Sequence, residues 1–85
     1  MTQQDTTFRT SDTTLATFLI TKNFPLLRID YTQPRFEHHF PLSEEIQELA
    51  NRCLSGNALT DPMAFNRINR KLLRIIHQRI QWGDD

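Results

Sequence analysis

The order of apolar and polar residues divides the chain into segments of different period. After a capping pair at Ser11 and Asp12, "TTLATFLITKNF" sets Leu15, Phe18 and Leu19 at helical spacing, with Lys22 one turn on. The segment carries four β-branched threonines, Thr13, Thr14, Thr17 and Thr21, yet Leu15–Ala16 and Phe18–Leu19–Ile20 are contiguous, so strict strand alternation fails and a helix is predicted. Asn23 suits a left-handed helix end, and Pro25 prevents continuation.

From Leu26 the period becomes two. Leu27, Ile29 and Tyr31 alternate with Arg28 and Asp30, and after "TQPR" the residues Phe36, His38 and Phe40 alternate with Arg35, Glu37 and His39. This predicts a β-hairpin whose turn holds Pro34 and whose second strand stops at Pro41. Ser43 then caps a second helix with Glu44 and Glu45 at its positive end, and Ile46, Leu49, Ala50, Cys53 and Leu54 form an amphipathic stripe that Gly56 terminates. "TDP" at residues 60–62 starts a third helix, with Asp61 as cap and Pro62 in the first turn. Phe65, Ile68, Leu72, Ile75, Ile76 and Ile80 give it an apolar face, and the helix is expected to run to about Trp82, before Gly83. Residues 1–10, rich in Thr, Gln and Asp, are expected to fray as a polar arm, and residues 83–85 to form an acidic tail.

The expected architecture is one α+β domain over residues 11–82, in the order α-β-β-α-α. Leu27, Ile29, Tyr31, Phe36 and Phe40 of the hairpin would pack on the stripes of the last two helices. A length of 85 residues leaves room for one core, and a lone hairpin has two open edges, so a homodimer formed by strand pairing is a reasonable expectation. One cysteine forms no internal disulfide, the start of the chain lacks a basic stretch followed by an apolar run, and nowhere do 18 apolar residues follow one another. The expected setting is cytoplasmic, without membrane contact.

Charge changes the picture at one end. Residues 1–60 carry five Lys or Arg against seven Asp or Glu, whereas residues 61–82 carry five against one. Arg67, Arg70, Lys71 and Arg74 fall on the side of the third helix opposite Phe65, Leu72 and Ile76, a stripe able to meet successive phosphates of DNA or RNA. An amphipathic helix also needs a solvated face of just this kind, and an acidic protein would be drawn to it as well. Arg79 projects inside the apolar arc near the helix end, where its expected role is to pass the core edge and meet the last carbonyls. Trp82 is either an aromatic anchor for a partner or the cover of one end of the core.

Other chemistry finds little footing. His38 and His39 are adjacent in a strand and face opposite ways, so they do not share one ion, and no metal site or cofactor is expected. His38 reads as a half-buried core histidine and His39 as an exposed one. Cys53 sits where a small buried hydrophobe belongs, and Glu44, Glu45 and Glu48 are explained by a helix start. Two glycines make no phosphate loop, and Phe36 and Phe40 lie on the face the core claims, not on an RNA-stacking platform. No enzyme or small-molecule substrate is expected.

The stretches "DTTLATFLITKNFPLLRID", "RFEHHFPLSEEIQEL" and "SGNALTDPMAFNRINRKLLRII", covering residues 11–76, resemble a family of small uncharacterised proteins from bacterial, plasmid and phage genomes, a domain of unknown function. Asn23 stands where that family often has glycine. The resemblance implies the order of elements and an association with mobile elements, and it implies no activity and no site residues. The expected function is a small non-catalytic binding module that touches nucleic acid through its last helix. The alternative is a protein-interaction factor, an inhibitor or adaptor, that uses a hairpin edge, the last helix or Trp82.

Overall fold

The computed structural model describes residues 7–32, 34–56 and 60–84; part of the expected arm, Gln33 of the turn and Asp85 of the tail lie outside them. The protein is an α+β domain of three helices and a three-stranded antiparallel sheet, in the order β1 (Thr7–Thr10), α1 (Thr13–Thr21), β2 (Arg28–Asp30), β3 (Glu37–Pro41), α2 (Glu44–Leu54), α3 (Pro62–Gln78). The expected hairpin is β2 and β3. What the pattern missed is β1, which falls in the expected arm and pairs on the other side of β3, giving the strand order β1-β3-β2. A four-residue edge strand with a single apolar residue, Phe8, leaves almost no periodic signal.

Register sorts the side chains. Phe8 lies opposite Phe40, and Thr10 and Ile29 lie on either side of His38, so these residues share the face turned to the core. Arg9 and Arg28 lie on either side of His39, and Asp30 lies opposite Glu37, on the other face. Leu27 is not a core residue as its alternation suggested. It precedes the short β2, is 55% exposed, and leaves its place to the buried Leu26.

The helices form where the caps direct. Asp12 Oδ1 accepts from the amides of Thr14 and Leu15, Ser43 Oγ from Ile46, and Asp61 Oδ1 from Met63. Asn23 and Gly56 take the expected positive φ beyond the ends of α1 and α2.

Helix α1 is the centre of the packing. Leu15, Ala16, Thr17, Phe18 and Leu19 are buried in succession, which is the mark of a helix covered on most of its circumference, and α1 lies against α2, α3 and β1. The expected arrangement, a hairpin packed on the last two helices, is therefore corrected: α2 and α3 pack on α1. Ile46 and Ala50 of α2, and Leu72 and Ile75 of α3, close the core with Ile29 and Phe40. Buried Thr17 is satisfied locally, its hydroxyl 2.8 Å from the Thr13 carbonyl and 3.0 Å from the Asn69 side chain.

Helix α3 ends at Gln78, four residues before the expected end at Trp82. Arg79 adopts a left-handed conformation (φ 56°) that reverses the chain. That backbone costs a residue with a Cβ about 1–2 kcal/mol, and the side chain supplies an offset. Its guanidinium donates to the Tyr31 carbonyl (3.1 Å) and lies 5.0 Å from the centre of the Tyr31 ring. The Tyr31 hydroxyl in turn donates to the Ile80 carbonyl (2.7 Å). Past the turn, Gln81 acts as a substitute strand: its side-chain amide accepts from the Ile29 N–H (2.6 Å) and donates to the Ile29 carbonyl (2.8 Å). A second copy pairing on β2 would have to displace Gln81.

Candidate nucleic-acid interface

Because α3 continues past Arg74, its early end leaves the basic stripe on one unbroken helix. Arg67, Arg70, Lys71 and Arg74 line a single shallow groove of about 570 Å³ together with Met63 and Asn66. The core side of the helix holds Leu72 and Ile75, so the groove faces solvent. Arg67, Arg70 and Arg74 are exposed, and Arg67 and Arg70 pair with no carboxylate among the described residues. From Arg67 to Arg74 the helix rises about 10 Å, about three base steps measured along a duplex axis.

Lys71 differs from the three arginines. It is half-buried, and its Nζ stands 4.4 Å from the centre of the Trp82 ring. The turn at Arg79 brings Trp82 back to this position, where it packs against the core. Trp82 is thus half-buried against one end of the core, with a cation over its face. Arg79 does pass the core edge, but its target is the Tyr31 carbonyl and not the last carbonyls of its own helix.

The two histidines face opposite sides of β3, as alternation requires, and both are more buried than the pattern suggested. His39 is 7% exposed and not a surface residue, because β3 is the central strand and Arg9 and Arg28 flank it. His38 is fully buried. Its Nδ1 lies 2.9 Å from the Thr10 carbonyl, which only accepts, so Nδ1 carries the hydrogen and Nε2 is a buried atom without a partner. Burial holds the ring below its ordinary pKa of 6.5, against a smaller opposing effect of the Thr10 bond. The folded state then binds fewer protons than the unfolded chain at mildly acid pH. Stability is complete above about pH 6.5 and falls as the pH drops, with a slope of up to about 1.4 kcal/mol per unit for this one group. Urea midpoints measured between pH 7.5 and pH 5 are expected to fall, and His38→Leu to flatten most of that fall.

Cys53 is half-buried, and burial pushes its thiol above the ordinary value, the opposite of what a nucleophile needs. The carboxylates at the start of α2 are exposed, and Glu48 forms an ion pair with Arg52 at 2.9 Å. One grouping was missed by sequence reasoning: Asp30, Glu37 and His39 meet on the outer sheet face. The signal was available only through the register of β2 on β3.

No family model matches the chain, and no curated protein or solved structure matches it. The resemblance to the phage and plasmid family stands on the quoted residues alone. No helix among the described residues is long and apolar enough to cross a membrane.

Proposed function

We propose that the protein is a small non-catalytic module that binds DNA or RNA through the outer face of α3, as a cytoplasmic accessory of a mobile element. The observation that supports this most is the alignment of Arg67, Arg70 and Arg74 along one exposed helix face, in a groove with Asn66 at its side. Guanidinium groups meet phosphate oxygens in a forked geometry, and neutralising a phosphate releases condensed counterions. Lys71, held over Trp82, supplies charge at the groove wall and a weaker direct contact. Asn66 adds a side-chain amide for a sugar or a base edge.

Salt dependence tests the reading. Three phosphate contacts give a slope of log affinity on log salt of about −2.7 for duplex DNA, so raising salt from about 50 to about 200 mM weakens binding by about 40-fold. Fluorescence anisotropy with a labelled duplex and a labelled single strand measures both slopes. A slope near zero, or no binding at low salt, counts against nucleic acid.

Met63, 80% exposed in the same groove, supports a second reading: an acidic protein partner that seats an apolar residue there. Capture from lysate with and without nuclease separates the two, because a protein partner remains after nuclease treatment.

A further inference from the structure

The sheet face turned away from the core gathers a set of donors. Asp30 lies directly across from Glu37, and His39 is two residues along β3 from Glu37, so the three side chains project from one face of two paired strands. One donor atom from each, two carboxylate oxygens and a ring nitrogen, lies within 4.8 Å of the others. His39 is 7% exposed, and its Nε2 is buried without a hydrogen-bond partner. A buried polar atom left unpaired is costly and uncommon, and it marks this imidazole as short of a partner. Asp30 is already oriented: its Oδ1 accepts from the Thr32 amide (2.9 Å) and hydroxyl (2.5 Å). Its Oδ2 faces Arg28 at 3.7 Å, beyond hydrogen-bond distance.

The geometry points to a divalent metal site of the zinc class, held by His39 and the carboxylates of Asp30 and Glu37, with a fourth position open to water. One imidazole and two carboxylates suit zinc and its neighbours, whereas magnesium and calcium take oxygen ligands alone. Bonds of about 2.1 Å in a tetrahedron separate donors by about 3.4 Å. From separations of at most 4.8 Å the three atoms therefore need to close by no more than about 1.4 Å, within reach of a rotation of the half-buried Glu37 side chain. Arg28, whose side chain is 60% exposed, opposes a cation and swings outward as the ion enters. The bound ion ties β2 to β3 beside the turn. This site is independent of the groove on α3, and its chemistry does not rest on nucleic-acid binding.

The test is titration of the untagged full chain with zinc chloride by calorimetry, and with cobalt(II) followed by its visible absorption. One ion per chain is expected. Glu37→Gln, checked as folded by circular dichroism, is expected to lower affinity by at least about tenfold. Arg28→Gln is expected to raise it, and His77→Gln to leave it unchanged. Asp30→Asn is expected to lower affinity likewise, with the imidazole in place. No binding at submillimolar zinc overturns the site. So does binding that survives both carboxamide variants, or that disappears with His77→Gln, since each marks an adventitious ion only.

Discussion

Reversing three charges, Arg67→Glu with Arg70→Glu and Arg74→Glu, is expected to lower affinity for duplex DNA at least about 100-fold while the protein stays folded. The variant loses three phosphate contacts and sets three carboxylates in the groove, so attraction along the helix face becomes repulsion. Stability is expected to change little, because these side chains are exposed and Leu72 and Ile75 hold the core side of α3. A surface substitution of this kind costs within about 0.5 kcal/mol per position. Anisotropy titrations of both proteins at one low salt concentration, beside urea melts of each, measure the two effects together. Binding that survives the reversal assigns any affinity to another surface.

Leu19→Ala is expected to have the largest effect on stability. Leu19 is fully buried on α1, the helix on which α2, α3 and β1 pack. Removing its side chain loses apolar burial and opens a cavity that three elements share, at a cost of about 2–5 kcal/mol. A domain of 85 residues has about 4–13 kcal/mol in total. The melting temperature is expected to fall by at least about 10 °C. The control is Leu54→Ala on α2, a residue that sequence periodicity placed on the buried stripe and that is 68% exposed; its effect is expected to be slight. Equal losses in the two variants would contradict the central position of α1.

Local chemistry made much of this fold legible. Caps and stops are written in single residues: Asp12, Ser43 and Asp61 start helices, and Asn23 and Gly56 follow their ends. The basic stripe was equally plain, since helical spacing alone places its members on one face. What escaped depends on contacts distant in sequence. β1 takes its order from the backbone of β3, to which a lone Phe8 gives no clue. The end of α3 is set at Arg79 because its guanidinium finds Tyr31, 48 residues earlier, where a sequence reader expects glycine at such a turn. The contiguous apolar residues of α1, read in the sequence only as an argument against a strand, belong to a helix covered on most of its circumference. The grouping of Asp30, Glu37 and His39 needs the register of two strands, which alternation does not supply.

The most direct test of nucleic-acid contact through α3 is an NMR titration of the 15N-labelled protein with a short DNA duplex at low salt. The account predicts that the largest shifts map to Met63, Asn66, Arg67, Arg70 and Arg74, including the arginine side-chain signals, and that they reverse when salt is added. Shifts confined to the sheet around Arg9 and Arg28, or a spectrum that does not change, would contradict it.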